Sequence, residues 1–204
     1  MQGSLTLAAS QAVCIEYLMP HLESWRRDYP LVAIQLLVRE ESPVDFSRET
    51  IDLAIQNGPG GGLGHSRVVE VHYKLVASPH WNSRAFGDPR QLEEIECLST
   101  RERWRFVSHY ADQVKVAPRR TFHCEHEKVL QQAALRGLGP AILPEWLVRG
   151  SLDRGELVEL LPTWRVEHLG YDMGIYAVWP GRNLSRKGRV FLQHLTKGGG
   201  CKRS

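Results

Sequence analysis

Hydroxyl and amide side chains stand directly after two predicted strands of this chain. Ser10 and Gln11 follow the first apolar segment of the sequence, and Ser99 and Thr100 follow a later one that ends at Leu98. Ligands of open α/β sheets bind beyond the carboxyl ends of the strands. Hydroxyl and amide groups at such a place, together with amides of helix N-termini, can hold a carboxylate or another anion. These four side chains are therefore candidate ligand contacts, while Ser10 also fits the simpler role of a helix cap.

Histidine and cysteine side chains of metal-binding type cluster in the segment FHCEHE. A metal site needs ligands that converge in a closed shell. His123, Cys124 and His126 lack any CxxC or HExxH partner, so the sequence favours a pocket wall or surface histidines over a metal site. Glu125 and Glu127 are expected at a helix start, where carboxylates interact favourably with the helix dipole. We predict no metal and no other cofactor.

Sequence motifs that would indicate an enzyme are weak. The chain has no G-x-S-x-G elbow and no evident catalytic pair of carboxylates. The glycine-rich segment 57–64, NGPGGGLG, lacks the lysine and hydroxyl residue of a phosphate-binding loop, which favours a mobile surface loop. Glu40 and Glu41 could meet a cationic group of a ligand, but a solvated loop is the simpler reading. One function class that stays open is a solute-binding protein or a small α/β enzyme that acts on a small anionic metabolite; it is the alternative to the regulatory role considered below.

Composition indicates a globular chain without a nucleic-acid surface. The 204 residues carry a net charge of +3, which is too small for the dense basic stripe that binds nucleic acid. Cys14, Cys97, Cys124 and Cys201 lie far apart, so reduced thiols are expected and a redox pair is the alternative. No apolar run reaches the length of a membrane span, and the N-terminus MQGSLTLAAS does not have the pattern of a secretion signal. We therefore predict a cytoplasmic protein that has no membrane partner.

The stretch Phe122–Pro144 organises the second half of the chain. Apolar and small residues recur there at helical spacing and predict one buried helix face: Val129, Leu130, Ala133 and Ala134. Gly137 is predicted to end the helix, because glycine takes the left-handed conformation that helix C-termini often need. Gly139 then lets the backbone turn closely into a short strand, 141–143, which Pro144 ends.

Other segments predict alternating strands and helices. Residues 31–38 are almost continuously apolar, which is typical of a parallel strand covered on both faces. An apolar stripe predicts a first helix in which Pro20 starts a fresh turn: Ile15, Leu18, Leu22, Trp25 and Tyr29. Further strands are predicted at 4–9, 51–55, 68–77, 95–98, 157–161 and 171–179, with a polar β-like span at 101–120. Short helices are predicted near 44–48, 80–86 and 89–92, a closing helix at 184–195 and a disordered tail at 198–204.

The order of these segments resembles the effector-binding domain of LysR-type transcriptional regulators. The resemblance covers roughly Gly3 to Leu195 and rests on seven segments: LTLAAS, LMPHLESWRRDYP, IDLAIQNG, LVASPHW, LRGLGPAILP, GELVELL and IYAVWPGRNLSRKGRVFLQHL. It implies an α/β fold of two Rossmann-like α/β subdomains joined by two crossing strands, of the type 2 periplasmic-binding-protein-like class. Subdomain I would comprise 1–76 and 172–197, and subdomain II would comprise 77–171.

The same resemblance implies the function and partners. A small-molecule effector, for which a carboxylate is the candidate chemistry, would bind in the cleft between the subdomains and shift the arrangement of a homodimer. The family places ligand-contacting residues at the strand-to-helix junction that here holds Cys124, Glu125 and His126. Family members carry an N-terminal winged helix-turn-helix, and this sequence begins at the first effector-domain strand, so DNA binding is expected only through that N-terminal domain. Isolated domains of the family tend to pair antiparallel, and the candidate surfaces here are the helices at 18–29 and 125–136.

Overall fold

The structure is a computed structural model that describes residues 1–40, 43–47, 50–60, 64–84, 86–100, 102–167, 174–181 and 183–198. Its strands are β1 (Gly3–Ala9), β2 (Val32–Val38), β3 (Leu53–Asn57), β4 (Gly64–Glu70), β5 (Tyr73–Ala77), β6 (Glu96–Ser99), β7 (Trp104–Ser108), β8 (Gln113–Val116), β9 (Arg119–His123), β10 (Ala141–Pro144), β11 (Val158–Glu159), β12 (Trp164–Glu167) and β13 (Gly174–Trp179). Its α-helices are α1 (Met19–Asp28), α2 (Glu127–Leu135), α3 (Glu145–Asp153) and α4 (Arg186–Gly198).

The chain divides into two compact units. The first comprises Met1–Val71 and Asp172–Ser204, and the second comprises His72–Tyr171. The chain therefore leaves the first unit after Val71 and returns to it near residue 172. The subdomain limits given above from the sequence, 1–76 with 172–197 and 77–171, stay a prediction, and the predicted disordered tail lies almost wholly outside the described residues.

The first unit contains a mixed sheet with the strand order β2-β1-β3-β13-β4. Strand β1 pairs in parallel with β2 and β3, whereas β13 runs antiparallel to β3 and β4. The central strands β1, β3 and β13 are mostly buried, and Ala8 and Ala54 pack against Val44 and Ile51 of the segment between β2 and β3. The predicted closing helix is confirmed as α4, whose Phe191 and Leu195 are buried.

Strand β2 differs from its prediction. Its apolar sequence suggested a strand covered on both faces, but β2 lies at the edge of the sheet. Several of its side chains are exposed or half-exposed, and Val38 is 48% exposed to solvent. Leu31, directly before the strand, is 71% exposed. The apolar run therefore marks an exposed apolar surface rather than a core strand.

A π-helical segment, Val13–Leu18, shifts the apolar stripe of the first helix. The segment closes with the Met19 amide donating to the Cys14 carbonyl, five residues earlier, and Pro20 lies in the first turn of α1 as predicted. A π turn holds more residues than an α turn, so side chains within the segment, Ile15 among them, do not keep the face that α-helical spacing predicts. The predicted stripe member Ile15 is consequently 46% exposed. The predicted cap is confirmed, since the Ser10 Oγ accepts a hydrogen bond of 3.4 Å from the Val13 amide.

The second unit contains two sheets. The larger has the order β11-β5-β10-β6-β9, in which β6 is parallel to β9 and β10 while β5 is antiparallel to β10 and β11. The smaller is the antiparallel sheet β12-β7-β8. The strand predicted at 68–77 is two strands, β4 and β5, which belong to different sheets and different units. Helix α3 and strand β12 had no counterpart among the predicted elements, and Phe46 and Ser47 form a turn where a short helix was predicted.

Helix α2 ends as its glycines predict. The Gly137 amide donates to the Ala134 carbonyl and the Leu138 amide to the Ala133 carbonyl, which is the paired arrangement of a Schellman motif. Gly137 has a φ of +79°, the left-handed conformation that this motif requires. One predicted core residue is wrong: Val129 is 44% exposed, and the buried Gln131 faces α3 instead, donating 2.8 Å to the Leu147 carbonyl.

Candidate functional site

A cavity opens within the second unit at the carboxyl end of β6. Its interior and open mouth together comprise about 450 Å³ of empty space, which includes solvent at the mouth. Its lining combines the ends of β6 and β12, the start of β7 and single residues of β5 and β10: Tyr73, Leu98, Ser99, Thr100, Arg103, Trp104, Arg105, Ile142, Val166 and Glu167. Two of the residues predicted from the strand-end rule, Ser99 and Thr100, thus lie together at a cavity.

Hydrogen bonds fix the backbone and side chain of Ser99. Its side chain is buried, and its Oγ accepts a hydrogen bond of 3.3 Å from the Trp104 indole nitrogen. The carbonyl of Ser99 accepts a second hydrogen bond, of 2.9 Å, from Nδ1 of His123. A carbonyl can only accept, so the His123 proton stands on Nδ1. The end of β6 is therefore held from β7 on one side and from β9 on the other.

Charged side chains give the cavity a polar wall that sequence reasoning missed. Arg105 on β7 and Glu167 on β12 are paired across the two strands, with 3.3 Å between the Arg105 Nη1 and the Glu167 Oε2. Arg165 approaches the same carboxylate at 3.8 Å. The exposed Arg103 also lines the cavity. A signal existed in the segments WRFV and WRVE, where charged residues stand between or beside apolar ones, but the pairing of the two segments depends on strand register.

Apolar side chains form the remaining wall. Leu98 and Trp104 are buried, and Ile142 and Val166 are half-buried. Such a mixture of apolar walls and a few polar groups is typical of sites for small organic molecules.

The other predicted site residues lie elsewhere. Ser10 and Gln11 follow β1 in the first unit, where the Gln11 backbone N–H donates a hydrogen bond of 2.9 Å to the Glu40 Oε1. Cys124, Glu125 and His126 form the junction between β9 and α2, and they are not among the residues that line the cavity. Glu125 and His126 are exposed, and Cys124 is half-exposed.

Histidine, cysteine and carboxylate side chains could bind a metal or act as nucleophiles. No group of three or more histidine, cysteine or carboxylate side chains among these residues is arranged to hold a metal ion. Burial raises the pKa of Cys97 to about 12. Burial, assisted by the nearby Glu40 carboxylate, also raises the pKa of Cys14. Both thiols therefore stay protonated near neutral pH, and neither is activated as a nucleophile.

Within the described ranges, none of the helices is both long and apolar enough to span a membrane.

Comparison with known proteins gives one consistent family. Residues 1–199 match the family described as the LysR substrate binding domain. The chain is 25% identical over 206 residues to the probable HTH-type transcriptional regulator LtrA of Klebsiella pneumoniae, covering 96% of this chain and 66% of that protein. It is 27% identical over 203 residues to the HTH-type transcriptional regulator PtxR of Pseudomonas aeruginosa, covering 95% and 63%. The chain thus spans somewhat less than two thirds of the length of these relatives.

A solved structure supports the fold. The regulatory domain of CrgA, a LysR-type transcriptional regulator from Neisseria meningitidis, is similar with a TM-score of 0.79 at 21% identity, covering 98% of this chain and all of that domain. The type 2 periplasmic-binding-protein-like fold is therefore confirmed. The chain belongs to the LysR substrate-binding domain family, whose role is to bind effectors for regulation.

Proposed function

We propose that this chain senses a small-molecule effector on behalf of a LysR-type transcriptional regulator. The observation that carries the proposal is the cavity at the carboxyl end of β6, where Ser99 and Thr100 stand in a chain of this family. Ser10, Gln11, Cys124, Glu125 and His126 are further proposed contacts of the effector. Domains of this family are not normally enzymes, so we expect saturable binding without turnover.

The regulatory output would come from a shift of population. A ligand changes a conformational equilibrium only when it binds one conformation better than the other. In the proposed regulator, a helix-turn-helix domain binds DNA, in keeping with the matched relatives, which are named HTH-type transcriptional regulators. The regulator is proposed to act in the cytoplasm. This chain would bind the effector, and the binding free energy would shift the conformational equilibrium of the regulator.

Thr100→Ala should weaken effector binding by about 1.5–3 kcal/mol, the usual value of one hydrogen bond to a charged group. A thermal-shift screen of metabolites comes first, because a ligand that binds only the folded state raises its melting temperature. Calorimetry then compares Ser10→Ala, Ser99→Ala and Thr100→Ala with the control Thr163→Ala, an exposed threonine outside the cavity. Ser99→Ala also leaves the Trp104 indole N–H without its acceptor, so Thr100→Ala is the cleaner test. Equal affinity in all four variants would remove these hydroxyls from the site.

A homodimer is the proposed assembly. Apolar side chains are exposed on the first unit at Ile15, Met19 and Leu31, and on the second unit at Phe122 and Val129. Single exposed apolar residues are normal on monomers, whereas contiguous apolar patches usually mark protein contacts. The occupant that we propose is a second copy of the chain, paired so that each contact occurs twice.

Sedimentation at micromolar concentration should show a dimer that Val129→Glu shifts toward the monomer. A buried, unpaired carboxylate at a contact costs several kcal/mol, enough to dissociate a moderate dimer. Tyr110→Glu is the matched control, because Tyr110 is 92% exposed at the tip of the β7–β8 hairpin, outside the proposed surfaces. A monomer in the unmodified chain, or equal dimerisation of both variants, contradicts this assembly.

A further inference from the structure

The guanidinium of Arg105 is incompletely paired inside the cavity. Its Nε is buried and has no hydrogen-bond partner within the described residues, although buried donors are normally paired. Its Nη1 reaches the Glu167 Oε2 at 3.3 Å, which is longer than the 2.7–2.9 Å of a strong charge-assisted hydrogen bond. One edge of the guanidinium, which can bind a carboxylate with two parallel N–H groups, is thus only partly used.

The charges around Arg105 favour an anion. Arg103 and Arg105 line the cavity, and Glu167 is the lining carboxylate that opposes them. Arg103 makes no ion pair or hydrogen bond with another residue in the described part of the chain. Lys115 lies opposite Arg105 on the neighbouring strand β8. The wall near Glu167 therefore carries an excess of positive charge, which a bound monoanion would reduce.

We propose that Arg105 is the anion subsite of the effector pocket and that Glu167 competes with the ligand for it. The inference rests on the proposed function and adds the chemical class: a small monocarboxylate with an apolar body. Once Glu167 releases it, the Arg105 guanidinium would turn its Nε and Nη toward the ligand's carboxylate, and the ligand's body would contact Trp104, Ile142 and Val166. After its release from Arg105, the Glu167 carboxylate would still lie near the Arg165 guanidinium, which is 3.8 Å away.

Competition explains why Glu167 lies at the site. A guanidinium left alone in a half-apolar cavity is costly, so a carboxylate of the protein holds it while the ligand is absent. The pair is half-exposed, with side-chain exposures of 23% for Arg105 and 35% for Glu167. Exchange of one carboxylate for another at such a pair needs no net burial of charge. The cavity thus selects ligands by charge as well as by shape.

The experiment follows the Arg105 Nε resonance in a ¹⁵N-labelled sample by NMR. Phenylacetate is titrated at constant ionic strength, and phenylacetamide serves as the matched probe with the same apolar body and no charge. We expect a saturable shift of the Arg105 Nε signal with phenylacetate only. An unmoved signal, a linear shift shared with exposed arginines, or an equal response to the amide would each overturn the subsite.

The phenylacetate affinities of three variants test the subsite independently of the NMR titration. Arg105→Gln should weaken phenylacetate about tenfold or more, since it removes a charge-assisted pair. Glu167→Gln should tighten it about fivefold, because a like charge leaves the anion's surroundings. Arg90→Gln is the control, as Arg90 is an exposed arginine that pairs with Asp88 outside the cavity. A metabolite from the screen that binds Arg105→Gln as tightly as the unmodified chain would refute the subsite and leave the proposed sensor function standing.

Discussion

Trp25→Ala should lower the free energy of unfolding of the first unit by about 3–5 kcal/mol, the usual cost of deleting a large buried aromatic side chain. Trp25 lies on α1 and is completely buried. Its ring centroid lies 4.2 Å from that of Tyr29 and 5.0 Å from that of Phe191. Because Tyr29 directly follows α1 and Phe191 belongs to α4, separate backbone segments hold these neighbours, and they are not expected to close the space together.

Polar contacts beside Trp25 make the same junction specific. The Ser24 Oγ and the His194 Nε2 are 2.8 Å apart, and the Nε2 also reaches the His21 carbonyl at 3.1 Å. Burial, with the neighbouring His194, lowers the pKa of His21, which favours the neutral imidazole near neutral pH. Helix α4 is therefore attached to α1 through Phe191 and His194, both of which contact Trp25.

Trp25→Phe is the matched control for that prediction. The indole Nε1 of Trp25 is buried and has no hydrogen-bond partner within the described ranges, so phenylalanine removes an unpaired donor together with part of the ring. Its loss should be clearly smaller than that of Trp25→Ala. Urea unfolding followed by circular dichroism measures both, with the two units fitted as separate transitions if they separate. A loss below about 1 kcal/mol for Trp25→Ala would contradict the packing described here.

Local patterns predicted most elements of the fold, and long-range pairing explains the failures. The strands β1, β3 and β13 and the helices α2 and α4 were predicted because alternation, periodicity and glycine stops act within a few residues. The apolar run of β2 did not reveal its edge position, since sheet order depends on distant segments. Ile15 was assigned to the wrong face because it lies within the π-helical segment Val13–Leu18, and apolar spacing alone assumes an unbroken α-helix.

The candidate site divides in the same way. Ser99 and Thr100 could be predicted because the end of a strand is a local feature and ligands gather there. The Arg105–Glu167 pair could not, because its members are 62 residues apart and meet only through the register of β7 and β12. Strand β12 has four residues, too few for a reliable alternation pattern. The charged wall of the cavity is therefore a product of tertiary structure.

Gly139→Ala is the second large effect, because it strains the backbone and also displaces β6. Gly139 has a φ of +154°, which L-amino acids rarely adopt. A Cβ at this position would lie 2.7 Å from the Glu96 carbonyl oxygen, and that oxygen is part of a strand backbone and cannot rotate away. We expect a loss of about 3 kcal/mol or more in the unfolding free energy of the second unit.

Gly155→Ala separates the two causes of the stability loss in Gly139→Ala, which are backbone strain and the clash with Glu96. Gly155 has a φ of +68°, but nothing lies within 4 Å of the Cβ that alanine would add. It should therefore cost only the left-handed backbone strain, about 1–2 kcal/mol. Strand β6 carries Glu96 at its start and Ser99 at its end, so the clash at Gly139 should also move the cavity wall. Calorimetry on folded protein should then show weaker ligand binding for Gly139→Ala and unchanged binding for Gly155→Ala. Equal stability losses in the two variants would mean that β6 yields to the added methyl group, and that the close approach at Gly139 does not hold the end of β6 in place.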